Sequence, residues 1–200
     1  MGTTDSRPRV RLTHATYLLV LAAVAASDGR AIDGAAALVA HAAGFALVAV
    51  AVLGRLWTTL FIVGRKGVEL VVDGPYAASR HPLYSWSIVA ALGLGLSTCS
   101  LVLTFALPTA IGLGAALAAR REDAALLSSH DAVWRGYRDA VPAFWPALAL
   151  HDLPDRIEVP PRIYWRAFLD AASFLLLWLF VMLLDGLRAG GAWESLFRLP

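Results

Sequence analysis

The sequence predicts an all-α, polytopic integral membrane protein of about five transmembrane helices. Three observations predict the membrane fold. Of 200 residues, 58% are hydrophobic and only 16% are charged, against about 45–50% apolar and about 25% charged in soluble domains; mean hydropathy is +0.64. From Leu83 to Ala119 there is no Asp, Glu, Lys or Arg. One helix needs about 20 residues to cross a hydrocarbon core of about 30 Å, so this stretch reads as two spans joined by a tight turn at Ser97-Thr98-Cys99-Ser100. Arginines gather near the ends of the apolar segments, where the positive-inside rule uses them.

The chain reads as a single membrane domain, 1–200, with its chemistry in a core region 54–146 and a C-terminal helix over 166–187. Span one is expected over Leu12–Ser27, followed by the tight loop Asp28-Gly29-Arg30. No signal peptide is evident, so this span is expected to stay. Span two runs from Ile32 to Leu53 and is rich in Ala and Gly, which suits close helix packing in lipid. Arg55, Arg65 and Lys66 mark a return to the side holding Arg7, Arg9 and Arg11, with Trp57 as an interface anchor. Thr58–Tyr84 reads as a re-entrant segment, with turns at Gly64-Arg65-Lys66-Gly67 and Asp73-Gly74-Pro75 around a short extended piece, Val68–Val72. The uncharged hairpin follows, its second span kinked at Pro108. Arg120-Arg121-Glu122-Asp123 is expected to end span four. Ala124–Ala140 is then a separate amphipathic helix with Leu127, Trp134 and Tyr137 on one face. Pro142, Pro146, Pro154, Pro160 and Pro161 break helices after it. The last apolar segment, Phe168–Leu184, spans the bilayer or re-enters it. Charge asymmetry puts the N-terminus in the cytoplasm. The Arg55–Tyr84 and Arg120–Arg166 segments then share that face and close over the end of the hairpin.

Several classes are disfavoured at once. A single cysteine, Cys99, excludes an intrachain disulfide and a cysteine-based metal site. His14, His41, His81, His130 and His151 form no metal-ligand spacing, so no metal is expected. A net charge of +2 is too small to suggest nucleic acid. Four constellations remain. Arg80, His81 and Tyr84 stand where a span begins, with Pro82 suited to a first helical turn. A guanidinium, an imidazole and a phenol there can hold a carboxylate and adenosine-like hydroxyls; the plainer reading is a headgroup anchor and an aromatic belt. Gly93 and Gly95 allow close approach of a backbone or a flat ligand; the plainer reading is helix packing. Glu122 and Asp123 at a helix C-terminus would oppose the helix dipole, which calls for a cationic partner or a solvated cluster. Trp134-x-x-Tyr137 and Val141-Pro142-x-Phe144-x-Pro146 form an interfacial lid, with Arg135 and Arg138 as candidates to hold an anionic substrate or to snorkel. His41, mid-span, reads best as a neutral histidine bonded to a neighbouring helix.

In this order, Gly74-Pro75-Tyr76, Arg80-His81-Pro82-Leu83-Tyr84, Gly93-Leu94-Gly95, Glu122-Asp123, Trp134-x-x-Tyr137 and Val141-Pro142-x-Phe144-x-Pro146 resemble the isoprenylcysteine carboxyl methyltransferases and the related phospholipid N-methyltransferases. Gly54-Arg55-Leu56-Trp57, Gly64-Arg65-Lys66 and Arg198-Leu199-Pro200 look like a bacterial branch of that family. The resemblance implies an inner-membrane enzyme using S-adenosyl-L-methionine, with the cofactor bound at the cytoplasmic ends of spans three and four. It implies cofactor contacts from His81, Tyr84 and Glu122, with Gly93 and Gly95 lining the cleft and Arg80 orienting the segment. Asp123 stands where the family has Glu, and His130-Asp131 where it has Phe-Gly; each is a departure. Catalysis would need alignment of donor and acceptor and exclusion of water, with an arginine, Arg135 or Arg138, on a carboxylate acceptor. The acceptor is a lipophilic or small molecule, methylated on oxygen, nitrogen or sulfur, and membrane lipids are the other partners. Two rivals stand beside this reading: a nicotinamide-dependent membrane reductase, and a non-enzymatic membrane protein that binds a lipid or a partner. Oligomeric state is not readable from the sequence.

Overall fold

The computed structural model describes residues 27–28, 32–65, 69–146, 153–191 and 197–198. Five helices carry the described fold: α1 (Gly34–Ile62), α2 (Pro75–Ala78), α3 (Pro82–Ser97), α4 (Leu101–Ala140) and α5 (Pro161–Ala189). Two short strands, β1 (Ser27–Asp28) and β2 (Phe197–Arg198), pair in parallel, Ser27 opposite Phe197 and Asp28 opposite Arg198. The expected span over Leu12–Ser27 lies outside the described residues except for Ser27. Among the described residues, three helices are long and apolar enough to cross a membrane: Gly34–Ile62, Leu101–Ser128 within α4, and Pro161–Ala189. The fourth, α3, is apolar but has only 16 residues, or about 24 Å of rise. The count of five spans is therefore not established among the described residues; the integral membrane character is.

The hairpin reads as expected. α3 begins on Pro82, which needs no N–H partner there. Thr98 and Cys99 turn the chain, Cys99 at φ +54°, and Ser100 caps α4 by accepting from the Leu103 amide at 3.3 Å. α4 continues through Pro108.

Three boundaries differ from expectation. α1 does not stop at Leu53 but continues through Arg55 and Trp57 to Ile62. Arg55 can stay in the helix because both terminal nitrogens of its guanidinium are bonded there, to the Leu83 carbonyl, Ser87 and Asp170. Thr58–Tyr84 is consequently not a re-entrant segment. Its first part completes α1, the described residues 63–65 and 69–74 stand between α1 and α2, and its last residues begin α3. Arg65 holds the stretch before α2, donating from Nη1 to both Asp73 oxygens at 2.9 Å and pairing with Glu69. Gly74 takes φ +56°, and a methyl there would meet the Phe61 ring at 2.2 Å. Third, Arg120-Arg121-Glu122-Asp123 does not end a helix. No proline follows until Pro142, and the amphipathic pattern of 124–140 is in helical phase with the span. α4 therefore runs unbroken for 40 residues, about 60 Å, or twice the hydrocarbon thickness of about 30 Å.

α3 is central, with α1, α4 and α5 all packed on it. The common core joins Val48, Ala51 and Val52 of α1, Ala90, Ala91 and Leu94 of α3, Leu103 and Leu107 of α4, and Phe174 and Val181 of α5. Phe105, Leu113, Leu117, Leu176 and Leu183 point outward, as lipid-facing residues do. Lipid offers no hydrophobic drive between helices, so close contact of small residues must supply it. A methyl on Gly44 would fall 2.0 Å from Ser97 Oγ and 2.6 Å from the Gly93 carbonyl oxygen. Ser97 donates to the Gly93 carbonyl at 2.9 Å and accepts from Trp178 Nε1 at 3.0 Å, which ties α5 to the same point.

This contact predicts a contrast. Gly93→Ala should cost about 1–3 kcal/mol by overpacking, because its added methyl meets α1 backbone at 2.7 Å. Gly114→Ala, where nothing lies within 4 Å, should be neutral or stabilising. Thermal unfolding of the two variants in detergent checks the pair.

Candidate functional site

The site is built where two polar segments run side by side at one end of the hairpin. The backbone N–H of Arg80 donates to the Pro142 carbonyl and that of His81 to the Ala143 carbonyl, both at 2.9 Å. Ser79 Oγ reaches the carbonyls of Ala143 (3.1 Å) and Phe144 (3.0 Å), and Ser85 Oγ that of Phe144 (2.6 Å). Tyr137 donates its hydroxyl to the Tyr76 carbonyl at 2.6 Å. Residues 76–85 and 137–144 are thus sewn together, mostly through carbonyls freed by the prolines that end α4.

Under this seam, side chains from α3 and α4 converge. Asp123 accepts from two side chains: Arg80 Nη1 on Oδ2 and His81 Nε2 on Oδ1, each at 2.8 Å. The other ring nitrogen of His81, Nδ1, lies 3.6 Å from Glu122 Oε2. Arg80 also donates from Nε to the Val141 carbonyl and lies over the Trp134 ring at 5.6 Å. The His81 side chain is 5% exposed, and its ring is stacked on Tyr84 at 5.7 Å and near Phe144 at 6.0 Å. Trp134 is buried and forms the floor under Arg80.

Two tyrosines outside the spanning segments border the cluster. Burial, reinforced by the Glu122 charge, pushes the Tyr76 phenol well above its ordinary value of 10.0, and the nearby Arg55 charge partly opposes this. Burial likewise raises Tyr137; Arg80 opposes and Asp123 adds to that rise. Both phenols therefore remain neutral hydrogen-bonding groups, not bases.

Arg80, His81, Tyr84, Glu122 and Asp123, singled out from the sequence, are brought together. Asp123 acts on the side chains beside it, since both of its oxygens are committed to Arg80 and His81. The acids lie mid-helix, so the expected helix-end penalty does not arise; their partners are Arg80 and His81. Gly93 and Gly95 lie elsewhere. Gly93 is buried against Gly44, Leu47 and Val48 of α1, and Gly95 against Leu103 and Thr104 of α4. Their closeness serves helix packing, not a ligand cleft. Arg135 and Arg138 stand on the exposed side of α4 while Trp134 and Tyr137 face inward, and Arg138 pairs with Asp139 at 3.2 Å. His41 meets Cys99 at 3.3 Å from Nε2 to Sγ, which is the bonded-histidine reading. His130 lies in α4 where its side chain is not described.

Sequence reasoning named Tyr76, Phe144 and Arg55 within motifs but gave none of them a contact of its own at the site. The signal for Arg55 was present: a charge seven positions inside an apolar helix end needs partners.

Residues 35–127 match the isoprenylcysteine carboxyl methyltransferase (ICMT) family, and this stretch contains Arg80, His81, Tyr84, Glu122 and Asp123. The chain is 39% identical over 128 residues to the nickel-cobalt-cadmium resistance protein NccN of Alcaligenes xylosoxydans xylosoxydans, covering 64% of this chain and 60% of that protein. It is 38% identical over 128 residues to the cobalt-zinc-cadmium resistance protein CzcN of Cupriavidus metallidurans, covering 64% and 59%. The matched stretch thus spans about three fifths of each relative's length. No solved structure matches the chain.

Removing Asp123 leaves the largely buried Arg80 guanidinium and His81 ring without their shared acceptor. Asp123→Ala should therefore cost about 3 kcal/mol, whereas Arg138→Ala, an exposed pair, should stay within about 0.5 kcal/mol; denaturant unfolding in micelles compares them. The raised phenols also fix a pH dependence. Their stabilisation is complete below the ordinary value of 10.0 and is lost as pH rises above it, because only the unfolded chain releases those protons. Unfolding midpoints should fall above pH 10.0, and less steeply in Tyr137→Phe.

Proposed function

We propose that this protein transfers a methyl group from S-adenosylmethionine to a lipophilic or small acceptor at the cytoplasmic membrane face. The observation that carries the reading is the closure of Arg80 and His81 on Glu122 and Asp123, all within the segment that matches the family. S-adenosylmethionine supplies an activated methyl on a sulfonium centre, so no nucleophilic side chain is required.

The donor set fits such a molecule. Glu122, 25% exposed at its side chain, offers carboxylate oxygens to an ammonium group or ribose hydroxyls. The stacked His81 and Tyr84 rings and Phe144 offer aromatic faces to a flat base or to a cationic sulfur. Asp123 fixes the His81 ring through Nε2, which leaves Nδ1 turned toward Glu122. The 76–85 and 137–144 seam excludes water from the same point, and alignment with desolvation is what an in-line displacement asks of an enzyme. The acceptor, a carboxylate, thiol or amine, enters from the bilayer.

The relatives' names favour a physiological corollary: methyl transfer by this chain serves tolerance to cobalt or cadmium. A deletion strain should then be more sensitive to those ions, and an unchanged growth limit would remove the corollary without touching the chemistry.

Titration calorimetry of the protein in lipid nanodiscs should detect S-adenosylmethionine binding. His81→Ala and Glu122→Gln should each weaken it about tenfold or more, or about 1.4 kcal/mol. A folded protein that gives no heat refutes the reading. Membranes incubated with methyl-labelled donor then identify the bond: base-labile label marks an ester, base-stable label N- or S-methylation.

A further inference from the structure

Arg55 is held in an unusual way for a charge inside an apolar helix. It lies about 10 Å from the end of α1 by helical rise, and its side chain is 15% exposed. Nη1 donates to the Leu83 carbonyl (3.2 Å) and to Ser87 Oγ (2.6 Å), the residues flanking Tyr84 on the first turns of α3. The guanidinium lies over the Phe174 ring of α5 at 5.2 Å. Nη2 meets Asp170 Oδ2 of α5 at 2.5 Å. Nε is buried and makes no hydrogen bond among the described residues.

Nε and Nη2 form the edge of a guanidinium that receives a carboxylate or phosphate through two parallel bonds. Here that edge is half filled. Asp170 takes Nη2 with one oxygen and leaves Nε unused. Asp170 itself is 57% exposed at its side chain, on a helix of membrane-spanning length, where an ionised carboxylate is costly. A pair retained only for stability would be expected to close both bonds and to bury the acid. Through Leu83 and Ser87, Arg55 reaches the turns of α3 that carry Tyr84. The arginines considered from the sequence, Arg135 and Arg138, stand on the exposed side of α4.

We propose that Arg55 is the anchor for an anionic group, carboxylate or phosphate, on the membrane-borne acceptor, and that Asp170 is its displaceable resident counter-ion. Naming the ligand as the acceptor rests on the methyl-transfer reading; the anion site does not. Binding fills the Nε–Nη2 edge and releases Asp170 toward its exposed side. The acceptor's apolar body lies along the α1–α5 seam.

The two members of the pair then have opposite effects, which a structural ion pair would not give. The test uses the full chain in phosphatidylcholine nanodiscs, with Trp fluorescence quenched by dibromostearic acid, dibromostearyl phosphate or uncharged dibromostearyl alcohol. Trp86 lies against Gly54, beside Arg55, and reports occupancy. Wild type should bind the acid or the phosphate about tenfold more tightly than the alcohol, and the tighter of the two names the group. Arg55→Gln should remove that preference, and Arg55→Lys should keep only part of it. Asp170→Asn should strengthen anion binding about threefold. Equal binding of anion and alcohol by wild type overturns the proposal. So does an Asp170→Asn protein that binds the anion more weakly. Should Arg55→Gln not fold, Asp170→Asn and Arg55→Lys carry the decision. Calorimetry with S-adenosylmethionine on the same samples separates the two claims. Donor binding without anion preference refutes this site alone; anion preference without donor binding refutes the methyl-transfer reading alone.

Discussion

The site depends on one carboxylate. Asp123 accepts a proton donor from Arg80 on one oxygen and from His81 on the other, each at 2.8 Å, and these bonds hold the start of α3 against the middle of α4. Bonds to charged groups contribute about 1.5–3 kcal/mol each, more than the neutral seam bonds around them, and both are shielded from water by Trp134 below and the 141–144 strand of chain above. Without Asp123, Arg80 would have only the Val141 carbonyl and a ring face, and His81 would lose the partner that fixes its ring. The departure from a longer acid at this position therefore sits in the element that sets geometry. The shorter side chain still reaches both partners, because the seam brings Arg80 and His81 to it.

The membrane part of the molecule solves a different problem. Its helices cannot gain by hiding apolar surface, since lipid is as apolar as they are. They are joined by close approach at Gly44, Gly93 and Ser97, by Trp86 over Gly54 with its indole bonded to Thr58 at 3.2 Å, and by Arg55 across three helices. The polar cluster and the packing share one element, α3, whose first turn carries His81 and Tyr84 and whose last turns carry Gly93 and Ser97. Displacement of α3 at either end is felt at the other through about four helical turns.

Much of this was legible in the sequence. The uncharged run from Leu83 to Ala119 fixed the hairpin and its turn, and the meeting of the two polar segments followed from charge placement alone. The constellation Arg80, His81, Tyr84, Glu122 and Asp123 was readable because polar residues beside an apolar run need partners. What was not legible has a physical cause in each case. Charges were read as helix ends at Arg55 and at Arg120–Asp123, yet both helices pass through: Arg55, Glu122 and Asp123 meet tertiary partners in place, and Arg120 and Arg121 are exposed. Gly93 and Gly95 carry no mark that tells a packing contact from a ligand wall; only the backbone lying 2.6–2.7 Å from their missing methyls decides it. Arg135 and Arg138 stand away from the cluster because helical phase turns Trp134 and Tyr137 inward and sends their neighbours out.

The fusion of the last span of the hairpin with the helix beyond it changes how the two ends of the site are coupled. A span ending at Asp123 would leave the acids on a frayed terminus and the Trp134–Tyr137 segment on a hinge. In one continuous helix, Asp123, Trp134 and Tyr137 keep fixed spacings. Asp123 to Trp134 is three helical turns, so both meet Arg80 from the same side of α4, one as its counter-ion and one as its aromatic floor. Tyr137, one turn further, then reaches the Tyr76 carbonyl in the segment that precedes Arg80. The chain bonded by α4 at 76 and at 80–81 has little freedom left, and residues 141–144 close it from above. The rigidity of the cluster thus comes from a helix long enough to leave the membrane without stopping. His81 and Glu122 are held at 3.6 Å by the frame around them more than by attraction to one another.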